Sequence, residues 1–194
     1  MIRQDRSDMS AHPEIRLREL ERSDLPLING WRNEPSLVAM LGGSFRHVCM
    51  AVDEKWFEHY LANRATNVRL AITLADGTTI GAVYLVSIDW LNRDAEFAIW
   101  IGTAAARGIR VGEAATRLML DHAFADLNLH RVHLSVLAHN ERAIRLYRKV
   151  GFVDEGVQRR AVYKGGEYRD LILMSMLRDE HRAVAQVPGE QACP

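Results

Sequence analysis

The chain has 194 residues, 48% of them apolar, and its 25 basic and 25 acidic residues give a formal net charge of zero. That apolar share supports one sizeable core and excludes a disordered chain. The balanced charge argues against a general nucleic-acid or membrane-surface binder, which carries a basic excess.

No apolar run reaches membrane-spanning length, and Met1 to Pro13 lacks the apolar core of a signal peptide. Cys49 and Cys193 are far apart and lack metal-type spacing, so they read as free thiols of a reducing compartment. The expectation is a soluble, cytoplasmic protein with a flexible leader (1–13), one domain (14–180) and a flexible tail (181–194). No internal repeat and no linker divides the chain.

Glu14 to Leu20 alternates apolar and polar residues, as a half-buried strand does. Ser23-Asp24 offers an N-cap, Pro26 sits early, and the helix carrying Leu25, Leu27, Ile28 and Trp31 ends by Pro35. Ser36 to Met50 reads as a loop broken by Gly42-Gly43, with a short helical turn before it. Asp53 is expected to cap a helix through Asn63, with Trp56, Phe57, Tyr60 and Leu61 at helical spacing.

Val68 to Leu74 is a strand, Asp76-Gly77 a turn, and Thr79 to Ile88 the returning strand. Asp94 to Gly102 follows, with Phe97, Ile99 and Ile101 on one face and Glu96, Ala98 and Trp100 on the other. Val111 to Leu127 is a helix whose apolar face is Ala114, Ala115, Leu118, Met119, Ala123 and Phe124. Arg131 to Leu137 is a strand, and Glu141 to Val150 a helix capped by Asn140 and stopped by Gly151. Phe152 to Tyr163 and Tyr168 to Leu177 form a hairpin through Lys164-Gly165-Gly166-Glu167. From Arg178 one further helical turn at most is expected, with disorder from Val184. The order implies an α/β fold: a mixed, mostly antiparallel central sheet with helices on both faces.

The stretch Ala95 to Phe152 organises the rest. A strand feeds the basic, glycine-containing turn Arg107-Gly108-Ile109-Arg110-Val111-Gly112, which opens a helix. Free backbone amides at a helix start suit a pyrophosphate. This turn resembles the pyrophosphate loop of the GNAT superfamily of N-acetyltransferases. Asn140-Glu141-Arg142-Ala143, continuing through Tyr147 to Gly151-Phe152, resembles that family's second acetyl-CoA motif. The resemblance spans roughly Glu14 to Leu177.

The resemblance implies acetyl-CoA as cosubstrate, no metal, and a sheet splayed in the middle, between Phe97–Ile101 and Val132–Val136. Arg107 to Gly112 would hold the pyrophosphate, Ile99, Trp100 and Ile101 the pantetheine arm, and Asn140, Arg142 and Ala143 the neighbouring part of the coenzyme. One of Arg142, Arg145, Arg148 and Lys149 would meet the 3′-phosphate. Arg110 replaces the family's usual glycine; an ordinary helical φ is expected there, with the side chain adding a cation near the phosphates.

The implied reaction moves acetyl to a primary amine, with Glu96 as general base and Tyr147 as general acid. Trp31, Arg32 and Arg46 are the candidate acceptor-binding residues, although Trp31, Trp56 and Trp90 are of a type more often found in cores. Polyamines rank below amino-sugar nucleotides and protein N-termini, because Trp31 to Met50 offers only Glu34 for a polycation. His122, His130, His133 and His139 read as structural, without metal-ligand spacing. Ser135 has no triad partners. The expected partner is a small-molecule or peptide amine, with no nucleic acid and no membrane; the final hairpin offers an edge for a homodimer. The competing class is a non-catalytic acetyl-CoA-binding regulatory module.

Overall fold

The computed structural model describes residues 14–43 and 45–186. The leader, the chain beyond 186 and Cys193 therefore lie outside the described residues.

Seven strands run β1 (Ile15–Glu19), β2 (Val68–Leu74), β3 (Thr79–Asp89), β4 (Asp94–Ile101), β5 (Arg131–Leu137), β6 (Val153–Lys164) and β7 (Glu167–Leu177). The helices are α1 (Leu25–Arg32), α2 (Pro35–Val38), α3 (Met50–Ala62), α4 (Val111–Asp121), α5 (Glu141–Val150) and α6 (Arg178–Gln186). The sheet order is β1-β2-β3-β4-β5-β7-β6. Every pairing is antiparallel except β4 with β5. None of the described helices is long and apolar enough to cross a membrane.

Side-chain alternation along β4 sorts the packing into two layers. Phe97 is buried with Val111, Ala115 and Met119 of α4 and Ile144, Tyr147 and Val150 of α5, and Ile99 and Ile101 pack against the same cluster. Trp100, on the other face, packs against a second cluster built from Leu25, Ile28 and Trp31 of α1, Leu37 of α2, and Phe57 and Tyr60 of α3. Helices thus cover both faces.

β4 and β5 pair only from Asp94↔Arg131 to Glu96↔His133. The Asp94 carboxylate fixes this closed end, accepting from Arg131 at 3.1 Å and lying 3.0 Å from His133 Nδ1. Beyond it the strands part, as the family resemblance implied. β5 continues instead along β7 through Leu137↔Leu171. The β6–β7 turn places Gly165 and Gly166 at φ +61° and +85°, the pair of positive φ values that a two-residue hairpin needs. β6 is an edge strand with Val153 and Val157 exposed.

Several expectations need correction. Asp53 does not cap α3; it lies inside the first turn, fully buried, and binds Arg32 and Asn29 Nδ2, the latter at 2.7 Å. Asp24 serves less as a helix cap than as a buried knot. Its carboxylate accepts from the Glu21 amide at 2.9 Å, from Arg18 at 2.7 and 2.8 Å, and from Thr79 Oγ1 at 3.1 Å.

The long helix is α-helical only to Asp121 and ends in a π-turn over His122–Asp126. Its buried face is Val111, Ala115, Thr116, Met119 and Leu120, continuing into Ala123 and Phe124, whereas Leu118 is exposed. α6 is longer than one turn and reaches into the stretch expected to be disordered. Arg178 ties its start to the carbonyls of Leu129 and Phe124 at 2.8 and 2.9 Å, and His181 lies 2.9 Å from an Asp121 carboxylate oxygen.

Candidate active site

The parting of β4 and β5 opens a cavity of about 620 Å³. Its walls include Glu96, Ile99, Trp100 and Ile101 of β4, Ser135 to Leu137 of β5, and Asn140, Arg142, Ala143 and Tyr147 from α5 and its cap. Arg107 and Gly112 reach one end. The structure therefore brings together most of the candidate catalytic and coenzyme-binding residues.

The turn before α4 has the geometry of an anion cradle. Gly108 takes φ +98°, and Arg110 takes φ +64° in the left-handed region. Arg110 therefore lacks the ordinary helical φ expected of it and occupies a conformation better suited to glycine. The amides of Ile109, Arg110, Val111 and Gly112 donate to no backbone carbonyl among the described residues. Four open amides at a helix start fit a pyrophosphate. A Cβ on Gly112 would come within 3.1 Å of Leu146 Cδ1, so the turn lies close to α5.

Ile109 is apolar and exposed, and the Val111 side chain is buried beneath the turn, so their contribution would come from the main chain. Arg107 has another task. Its guanidinium donates to the Ile101 and Gly102 carbonyls at 2.9 and 2.7 Å, latching the turn onto the end of β4.

The basic run on α5 resolves in the same way. Arg145 pairs with Glu141, Arg148 with Asp154, and Lys149 with Glu113. Arg142 has no carboxylate partner among the described residues and faces the cavity end near Gly108. It is the cation of the four that stays available to a phosphate.

Asn140 caps α5, accepting from the Ala143 amide at 3.2 Å, and its Nδ2 donates to the Met40 carbonyl at 3.1 Å. Tyr147 is buried, with its ring edge-on to Phe97 and Phe152. Burial pushes its phenol up to about 12. Glu96 is the only carboxylate on the cavity wall among the described residues.

The three candidate acceptor residues are not on that wall. Trp31 is a core residue packed over Gly102, where a Cβ would sit 2.0 Å from its ring. Arg32 is committed to buried Asp53 and lies over the Trp56 ring at 5.5 Å. Arg46 is exposed in the segment between α2 and α3. Residues that the sequence did not single out stand there instead: Leu37, Met40 and Leu41, together with Tyr84 and Leu171.

Tyr84 carries the one available signal, since it shares a strand face with Ala82 opposite Trp100 and Ala98. The Tyr84 hydroxyl and Trp100 Nε1 are buried without hydrogen-bond partners among the described residues. Burial raises the Tyr84 phenol well above its ordinary value, against the opposing pull of the Arg69 guanidinium 4.9 Å from its ring.

Comparison with known proteins accounts for this architecture. The profile of the Acetyltransferase (GNAT) domain matches residues 14–153. The spermidine N(1)-acetyltransferase of Escherichia coli (strain K12) is 31% identical over 181 residues, covering 93% of this chain and 95% of that protein. The L-amino acid N-acetyltransferase AaaT of the same strain is 30% identical over 132 residues, covering 65% of this chain and 77% of the relative. The crystal structure of spermidine N-acetyltransferase from Vibrio cholerae, in complex with CoA and spermine, superposes with a TM-score of 0.82 at 28% identity, covering 87% of this chain and 98% of that one. The splayed strands, the open amide cradle and these matches lead to one conclusion: the chain belongs to the GNAT acetyltransferase family and is an N-acetyltransferase with acetyl-CoA as its cosubstrate.

Proposed function

We propose that the chain acetylates a primary amine of a polyamine, with Glu96 as general base and Tyr147 as general acid. This reverses the ranking of acceptors drawn from the sequence. The observation that carries it is the near full-length match to proteins named for spermidine, one of them in a complex with CoA and spermine. The cavity is compatible with that acceptor. Its aliphatic walls and the aromatic sides of Tyr84 and Trp100 suit methylene segments, and Glu96 supplies a carboxylate for one ammonium. The amino-sugar-nucleotide reading loses support, because Arg32, one of the cations that could meet a nucleotide phosphate, is already paired, and Arg46 is not on the cavity wall.

Acetyl-CoA supplies an acyl group activated as a thioester. An alkylammonium has a pKa near 10.4, so exposing the free amine at pH 7 costs about 4–5 kcal/mol. Glu96 takes up that proton, directly or through a water. Tyr147, fully protonated at neutral pH, gives its hydrogen to the departing sulfur. The amides of residues 109–112 and the Arg142 guanidinium anchor the coenzyme phosphates, and the unpaired edge of β4 orients the pantetheine arm.

Thiol release from acetyl-CoA, measured over a panel of spermidine, spermine, an amino-sugar nucleotide, free amino acids and an N-terminal peptide, tests the reading. Spermidine or spermine should lead in kcat/KM by about tenfold or more. Preference for the peptide or the amino-sugar nucleotide overturns the acceptor; turnover of none would favour the regulatory binder.

A further inference from the structure

The cavity has a roof made of α2 and the residues after it. Leu37, Met40, Leu41, Gly42 and Gly43 all line the cavity. Leu41 packs against the cluster that holds Trp31 and Trp100, which is the sheet face opposite the anion cradle. Internal bonds in this segment are all short-range: Leu37 and Val38 donate to the Glu34 carbonyl, and Ala39, Met40 and Leu41 each donate one turn back, to Pro35, Leu37 and Val38. A four-residue helix cannot sustain itself, so something external must hold it.

The holder comes from the far end of the chain. Lys164, the last residue of β6, extends its ammonium to the carbonyls of Val38, at 2.6 Å, and Leu41. The Val38 carbonyl ends α2 and also accepts from the Leu41 amide, and the Leu41 carbonyl lies just past the helix, so the ammonium ties the helix end to the turn that follows it. Lys164 has no carboxylate partner among the described residues, because Glu167 opposite it pairs with Arg169. The Tyr163 and Tyr168 rings, 5.2 Å apart, stiffen the hairpin tip that carries it. From the other side Asn140 grips the Met40 carbonyl.

We propose that Lys164 is a positioning residue that holds segment 35–43 as the roof over the acceptor side of the cavity. Affinity for the amine then depends on the hairpin tip, although Lys164 touches neither substrate. This rests on the acetyltransferase reading above, so the test has one arm that needs no turnover.

The variants are Lys164→Met, which keeps the stem and removes the donors, and Lys164→Arg, which keeps the cation. Hydrogen exchange on the unliganded protein should show faster exchange of the Ala39, Met40 and Leu41 amides in Lys164→Met and recovery in Lys164→Arg. Steady-state kinetics should show the spermidine KM rising about tenfold in Lys164→Met, with the acetyl-CoA KM within twofold of the parent. Unchanged exchange at these amides overturns the proposal, as does an equal rise in both KM values. If the parent protein turns over no amine, the functional reading fails, and the exchange arm still decides whether Lys164 holds the roof.

Discussion

The roles proposed for Glu96 and Tyr147 differ in what each does with a proton. Glu96→Gln removes the proposed base and keeps the shape. It should lower kcat about a hundredfold at pH 7, with the deficit shrinking toward pH 10, where the amine loses its own proton unaided. A deficit constant across that range removes Glu96 from proton uptake. Tyr147→Phe retains the contacts with Phe97 and Phe152, so Tm should hold while kcat falls. Because burial places the phenol at about 12, no ionisation of Tyr147 should appear in the rate between pH 6 and 10.

Arg110 is a third case. It stands at φ +64°, where glycine is relieved of strain. Arg110→Gly should therefore raise Tm by about 2 °C. It should also raise the acetyl-CoA KM at low salt but not at high salt, because an exposed cation acts through a screened field. The left-handed φ was hidden in the sequence, which shows an arginine where the turn would ordinarily use glycine.

At the level of elements, legibility followed locality. β2, β5 and α5 fall on the bounds read from pattern alone, because alternation, the Asn140 cap and the Gly151 stop are local signals. The start of α3 was misplaced because Asp53 answers to Arg32 and Asn29 on α1, partners that no window around it contains. α6 outruns its local pattern for the same reason, since its anchors are Asp121 at the end of α4 and the Phe124 and Leu129 carbonyls beyond it.

The Asp24 knot joins β1, the turn before α1 and β3, and it makes stability depend on pH. Burial works to raise its carboxyl, but the bonds from Arg18, the Glu21 amide and Thr79 outweigh it and hold the group below its ordinary value. The stabilisation is therefore full above about pH 4 and drains away as pH falls through the lower, folded value. Asp24→Asn should cost about 2 kcal/mol at pH 7 and flatten the acid limb of the stability curve. Chemical denaturation at several pH values reads both. Asn140→Ala should cost about 1 kcal/mol through the lost cap, visible as a lower Tm without acetyl-CoA present.

Across the whole molecule, the parting of two parallel neighbours decides where chemistry can occur. Three residue pairs hold β4 to β5, and the rest of β4 presents an edge with unpaired backbone groups inside the molecule. Such an edge is unfavourable unless something occupies it. The pantetheine arm, an amide-bearing chain, is suited to complete the ladder. The sequence could supply the two motifs flanking the gap but not the acceptor wall, because Tyr84, Leu41 and Leu171 come from separate segments that meet only in the folded chain.

The gap yields a sharp expectation for coenzyme A alone. At about a hundred times its Kd it should stabilise the fold by about 2.7 kcal/mol, raising Tm by several degrees. Hydrogen exchange should slow in two separated places, along residues 97–101 of β4 and at residues 109–112. Residues 94–96, already paired with β5, should change little. Protection at the cradle without protection along β4 would mean that the arm lies outside the gap, and Glu96 would then have no claim on the reacting carbon.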